Sequence, residues 1–279
     1  MRAESKFLSM PKEFWANVRT ISQQVGYTDR KTSSIKVPSL NEVRNCFKEL
    51  SLDTHHLADE SNNLTSLGES LFQYFAYRGD VLNNFVQHQL MNKEQAEIEF
   101  NKLMKLHNPT CPLPMNKQKG DKKNYAFLTG ITNILIEANL NGAQCDYDPR
   151  GLTTITQAGQ PLRTLARRVD GAYPSVINPK AIWEIKEYYY TTTFGSRVAD
   201  GVYETLLDGM ELEELYESTN RKVEHLLIID DRFTWWECGR SYLCRMIDML
   251  HMGYVDEIIF GKEVISRLPE IVSKWGRAV

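Results

Sequence analysis

Glu184 and Lys186 stand two residues apart in an apolar-rich run, Ala181 to Tyr190, and Asp170 lies fourteen residues before Glu184. In an extended strand, residues i and i+2 project from one face, about 7 Å apart along the backbone. Glu184 and Lys186 therefore stand side by side, while Trp183, Ile185 and Glu187 point the other way. If the strand of Asp170 pairs antiparallel beside this one, a second carboxylate joins the first. Two carboxylates ~4 Å apart repel by ~4 kcal/mol at an effective dielectric of 20. A divalent cation is the natural compensation, and carboxylate oxygens are the hard ligands that Mg²⁺ takes while keeping several waters. A hard cation held there would stabilise developing negative charge and activate a water. Taken alone, the same three residues could instead form a cross-strand salt bridge on an exposed sheet face.

The pattern of Asp170, thirteen intervening residues, then Glu184-Ile185-Lys186 resembles the PD-(D/E)XK nuclease superfamily, which includes most type II restriction endonucleases. Val169 stands where that family usually carries proline. The resemblance covers roughly residues 122–261. It implies a Mg²⁺-dependent DNA endonuclease (a hydrolase) with Asp170, Glu184 and Lys186 as catalytic residues. Asp170, Glu184 and the main-chain carbonyl of Ile185 would ligate the metal. Lys186 would orient or deprotonate the attacking water, or neutralise the developing charge. Glu137, on the helix before the sheet, is the candidate outer acid that reaches the metal through water. The resemblance also implies double-stranded DNA as partner and a homodimer, since two strands must be cut.

These residues need elements to hold them. Lys122 to Leu140 reads as a helix ended by Asn141-Gly142. Residues 144–148 and 153–157 are short β-prone runs, Arg163 to Tyr173 reads as one strand entering the motif, and Ala181 to Tyr190 as the motif strand. Residues 200–218 follow as a helix, 223–230 as a buried strand, 241–252 as a helix, 255–261 as a second buried strand and 264–275 as a final helix. Hairpin-linked strands followed by helix-linked strands imply an α/β fold, a mixed sheet flanked by helices with a restriction-endonuclease-like core. The N-terminal half is helical, over residues 7–25, 40–50, 64–89 and 93–106. Prolines at 109, 112 and 114 and a lysine-rich stretch place a hinge or long loop at about 108–121. The expected division is a helical region, 1–110, for recognition or dimerisation, and a catalytic domain, 111–279.

The 279 residues carry a net charge of −3, so the total does not advertise nucleic-acid binding. The distribution is more telling: 15 Lys+Arg against 13 Asp+Glu over residues 1–120, and 18 against 23 over residues 121–279. Phosphate binding needs local clusters. Lys117 and Lys119 lie in one, with Lys122 and Lys123. Arg163, Arg167 and Arg168 form another, which could grip phosphates or simply solvate a hairpin. Arg197 could clamp a phosphate beside the active face. Tyr188, heading a run of three tyrosines, could contact a DNA groove or serve as a β-prone residue at a strand end. Asp230-Asp231 reads as a turn or cap.

The five cysteines are scattered without a C-x-x-C pair, as for reduced thiols in a cytoplasmic protein. No apolar run reaches the ~18–20 residues that span a bilayer. No Gly-rich phosphate loop and no G-x-S-x-G occur, so a nucleotide-triphosphate motor or a serine hydrolase has no support. The leading expectation is a sequence-specific restriction-type endonuclease. Two others stand beside it: a phage-defence or repair nuclease with relaxed specificity, and a DNA- or protein-binding module that does not cut.

Overall fold

The structure, a computed structural model, describes residues 1–29, 31–118, 121–191 and 195–276; the side chains of residues 117, 118, 121–123 and 197 also lie outside that description. The chain runs α1 (Ser5–Leu8), α2 (Lys12–Val25), α3 (Leu40–Glu49), α4 (Ser66–Asp80), a π-helical turn (Val81–Val86), α5 (Gln87–Gln89), α6 (Lys93–His107), β1 (Met115–Gln118), β2 (Asp121–Tyr125), α7 (Phe127–Asn139), β3 (Asp146–Tyr147), β4 (Thr154–Gln157), β5 (Gln160–Thr164), β6 (Gly171–Tyr173), β7 (Ala181–Glu187), α8 (Ser196–Thr219), β8 (Glu224–Asp230), a second π-helical turn (Phe233–Cys238), α9 (Arg240–His251), β9 (Glu257–Phe260) and α10 (Glu263–Trp275).

The fold is mixed α/β. A five-stranded sheet has the order β3-β6-β7-β8-β9. Its first three strands form an antiparallel meander, and β7, β8 and β9 run parallel through the helical crossovers α8 and α9. The apolar runs of β8 and β9 carry almost no polar alternation because both faces are covered. On one face Trp183, Leu226, Ile228 and Ile259 pack with Phe127, Ile131, Ile134 and Ile136 of α7 and with Leu268 and Ile271 of α10. On the other, Leu227, Ile229 and Ile258 pack with Val198 and Val202 of α8 and Leu243 and Ile247 of α9. α2, α3 and α4 hold a separate aromatic cluster around Phe14, Trp15 and Tyr74. Among the described residues no helix is long and apolar enough to cross a membrane.

Several boundaries differ from those the sequence implies. Arg163–Tyr173 is not one strand. β5 turns back on β4 as a separate two-stranded sheet, residues 165–170 are irregular, and β6 begins only at Gly171. Lys122–Tyr125 is strand rather than helix, since β2 pairs with β1, so the expected loop at 108–121 is in part a hairpin. α6, placed by sequence with the N-terminal helices, packs instead in the core of α7 through Phe100 and Leu103. Pro11 separates α1 from α2.

Gly171 sets the spacing at the start of β6. A Cβ there would lie 2.0 Å from Trp183 Cζ2, because the indole lies flat across the glycine. The same ring stacks on Trp275 at 5.7 Å with 14° between planes. Gly171→Ala is therefore expected to push Trp183 out of that stack, at a cost of about 1–3 kcal/mol or more. Thermal melts followed by tryptophan fluorescence check this; an unchanged midpoint and spectrum would contradict it.

Candidate active site

β7 is the third strand of five, so its face toward α8 is covered from above and below. Glu184 and Lys186 both lie on that face, fully buried and 8% exposed respectively. Lys186 Nζ donates to Glu184 Oε2 at 2.9 Å and to Glu204 Oε2 of α8 at 3.1 Å. α8 comes this close because Gly201 has no side chain: a Cβ there would lie 3.2 Å from Lys186 Cδ and 3.1 Å from Tyr188 Oη. The set is thus a buried ion cluster and not a surface salt bridge.

Asp170 lies one residue before β6. Its N–H donates to Trp183 O at 3.1 Å, and its Oδ2 accepts from Ile185 N at 2.7 Å. A strand residue turns its N–H and C=O to the same side, so the carbonyl of Ile185 also faces the Asp170 side. Burial and the charge of Glu184 push the Asp170 carboxyl up to about 6, against the opposing pull of Lys186. Burial alone would raise Glu184 too, but Lys186 and Arg167 outweigh it and hold that carboxylate below its ordinary value. Lys186 is pulled the opposite way: burial favours its neutral form, yet Glu184 and Asp170 more than offset this and hold the ammonium charged.

Arg167 joins the cluster from the irregular stretch. Its Nη1 lies 3.0 Å from Glu184 Oε1 and donates to Asp208 Oδ2 of α8 at 2.6 Å; its Nη2 donates to Glu204 Oε2 at 3.3 Å. Asp208 is fully buried, and burial together with Glu184 pushes it up to about 7. Glu204 and Asp208 are the site residues that sequence reasoning missed. A signal existed: Glu204, Asp208 and Glu211 recur at i, i+4 and i+7, one helical face, opposite Lys186, Arg167 and Arg163.

The other sequence candidates divide. Arg163 pairs with Glu211 and Glu214 of α8 at 3.2 and 2.9 Å, so it pins the β4–β5 hairpin to the helix. Arg168 is exposed and makes no ion pair among the described residues. Tyr188 projects beside Lys186 and packs edge-on to Trp235 at 5.5 Å, a half-buried position under α8 and not an open strand end. Lys119 lies outside the described residues, as do the side chains of Lys117 and Arg197.

Glu137 is not brought to the cluster. Its helix α7 packs on the Trp183 face, and its carboxylate accepts from Thr110 N at 2.9 Å and from the Thr110 hydroxyl. It ties the chain before β1 to the helix. Glu187, on the opposite face of β7 from Glu184, caps α7. Ala126 offers the helix no side-chain acceptor, and Glu187 Oε2 accepts from Thr129 N at 3.0 Å and Thr129 Oγ1 at 3.1 Å.

Whether this site suits a hard divalent ion is a matter of charge and donors. Among the described residues, Asp170, Glu184, Glu204 and Asp208 face Arg167 and Lys186, a formal excess of two negative charges. Among the described residues no three carboxylate, imidazole or thiolate groups already converge as an ion cage. Mg²⁺ does not require one, since it takes one or two carboxylates and keeps its waters. Residual charge and all-oxygen donors both fit.

Buried acids also set a pH dependence. Burial raises Asp170 to about 6 and Asp208, Glu187 and Asp230 each to about 7. Between the ordinary carboxylate range and pH 7 the native state then holds more protons than the unfolded chain, so stability falls as pH rises through that window. His225 and His251, depressed by burial, act in the opposite sense below pH ~6.5 but are fewer. Urea unfolding without divalent ions is expected to show lower stability at pH 8 than at pH 5.5. A steady rise between those values would mean that the acids are ionised and compensated in the folded state.

Fold and cluster together define a mixed α/β protein with a buried acid–lysine centre on its middle strand. The chain belongs to the family described as Domain of unknown function (DUF7687), whose model matches residues 91–275; a second family model, Domain of unknown function (DUF7690), matches residues 1–85. No curated protein and no solved structure matches the chain.

Proposed function

We propose that the protein is a Mg²⁺-dependent endodeoxyribonuclease of the PD-(D/E)XK kind, most like a sequence-specific restriction enzyme acting as a homodimer. The observation that carries this reading is the meeting of Asp170 with Glu184-Ile185-Lys186 at the junction of β6 and β7: Ile185 N donates to Asp170 at 2.7 Å, and Lys186 donates to Glu184 at 2.9 Å. The order of elements supports it: helix α7, the meander β3-β6-β7, helix α8 and the parallel strand β8 follow the order of that superfamily's core. Asp170, Glu184 and the Ile185 carbonyl would hold Mg²⁺, which when bound supplies Lewis-acid stabilisation and a water of lowered pKa.

The chain's own groups do the rest. Lys186, held charged, orients the attacking water and neutralises charge developing on the phosphoryl oxygens. Glu204, 44% exposed, steadies the ammonium at the solvent side. Arg168, exposed two residues before Asp170, is the cation we assign to a backbone phosphate.

Incubation of plasmid DNA with the protein and Mg²⁺, with EDTA and with Ca²⁺, beside Asp170→Ala, tests the proposal. Discrete fragments that require Mg²⁺ and vanish in the variant are expected. A smear would point to a relaxed defence or repair nuclease. Cleavage insensitive to the substitution, or none on any DNA, would overturn the assignment.

A further inference from the structure

We propose that Arg167 is the resident counter-cation of the acidic centre, a guanidinium that competes with an incoming divalent ion for Glu184. The inference rests on the metal-dependent reading above. Both oxygens of Glu184 already lie beside a cation: Lys186 Nζ donates to Oε2 at 2.9 Å, and Arg167 Nη1 lies 3.0 Å from Oε1 as an ion pair without hydrogen-bond geometry. A cation that is to bind Glu184 must displace one of them or share its oxygen with it.

The two are not equally held. Lys186 is fixed on β7, 8% exposed, with its stem against the backbone of α8 at Gly201. Arg167 lies in the irregular stretch between β5 and β6, 22% exposed, and has two further acids to lean on. Asp208 Oδ2 accepts from the same Nη1 that faces Glu184, and Glu204 accepts from Nη2. Asp208 has a second oxygen, Oδ1, that is buried without a hydrogen bond. Arg167 can therefore give up Glu184 and remain paired on α8, keeping the buried Asp208 compensated. Like-charge repulsion in a buried site is strong, so a guanidinium next to Glu184 weakens metal binding while it stays and preserves the fold while no metal is present. That also explains why this arginine points inward, while its neighbour Arg168 points to solvent.

Mn²⁺ binding to the full chain, measured by calorimetry for wild type, Arg167→Met, Arg167→Lys and Asp170→Ala, tests this without reference to cleavage. Thermal melts with and without Mn²⁺ accompany it. Arg167→Met is expected to melt lower without metal, to bind Mn²⁺ at least tenfold more tightly, and to gain more in melting temperature on Mn²⁺ addition. Arg167→Lys, which keeps the charge, is expected to stay near wild type. Equal or weaker Mn²⁺ binding in Arg167→Met, with Asp170→Ala still defective, would overturn the competitor role and leave the metal site standing. Mn²⁺ binding no different from Asp170→Ala in both wild type and Arg167→Met would instead remove the metal site itself, and the competitor role with it.

Discussion

Truncating Lys186 to alanine is expected to slow the proposed Mg²⁺-dependent DNA cleavage by roughly 10²- to 10³-fold, the usual cost of removing one preorganised charge from a transition state. Metal binding is expected to survive the change. The ammonium ligates nothing, and its loss leaves Glu184 and Glu204 more negative. Single-turnover cleavage at saturating Mg²⁺, set beside Mn²⁺ titrations, separates this variant from Asp170→Ala, which is expected to lose both. The two possible roles of Lys186 also predict different pH profiles. A general base must shed its proton, so the rate would climb on into alkaline solution. Here Glu184 and Asp170 outweigh burial and hold the ammonium charged, so the profile is expected to flatten instead. Its rising limb belongs to Asp170, which must ionise to act as the proposed ligand; burial and Glu184 push that carboxyl up to about 6 without metal, and a bound cation moves it lower. A Lys186→Ala rate within threefold of wild type would remove the lysine from the chemistry.

Much of that site was legible because strand periodicity is rigid. Once residues 181–187 form a strand, Glu184 and Lys186 must share a face, and Trp183, Ile185 and Glu187 must share the other; β7 obeys this. The function of each face was less legible. Glu187 caps α7 because Phe127, at the helix start, is drawn onto β7's apolar face and brings its unpaired amides with it. Such a long-range cap leaves no local pattern. The approach of Asp170 was also partly hidden. β-prone residues from Arg163 onward suggest a continuous strand, but Glu211 takes the N–H of Ala166 and Arg167 turns toward α8. The chain thus leaves the sheet until Gly171.

The basic residues show a second limit of local reading. Arg163 and Arg167 look like a phosphate grip when only their own segment is considered. Their partners lie some forty residues later, on a helix whose acidic face at Glu204, Asp208 and Glu211 shows only when the two segments are set side by side. Arg168 has the same local context and a different fate: it is exposed and makes no ion pair among the described residues. Residue type therefore named the candidates, and tertiary pairing decided which of them remained available to a ligand.

The other large effect concerns the attachment of the N-terminal helices to the sheet domain. Arg78 of α4 is 1% exposed and Asp248 of α9 is 4% exposed. Arg78 Nη1 donates to Asp248 Oδ1 and Oδ2 at 2.9 and 3.0 Å, and its Nη2 to Ser22 Oγ of α2 at 3.0 Å. Tyr74 Oη donates to Asp248 Oδ1 at 2.6 Å. One arginine thus joins three helices, and burial makes the loss of either partner costly, since the remaining charge has no water. Arg78→Met is expected to destabilise the protein by about 3–5 kcal/mol, a fall in melting temperature of roughly 10 °C. Arg78→Lys is expected to fall between, because one ammonium cannot hold Asp248 and Ser22 Oγ together as the two guanidinium nitrogens do. The double variant Arg78→Met/Asp248→Leu is expected to recover much of the loss, since well-packed apolar pairs often replace buried ion pairs at little cost. Urea and thermal unfolding of the four proteins measures the coupling directly. If Arg78→Met lost less than about 1 kcal/mol, or the double variant were no better than the single, the ion pair would not be what fastens α4 to α9. The apolar contacts around Phe7 and Tyr74 would then have to carry that junction alone.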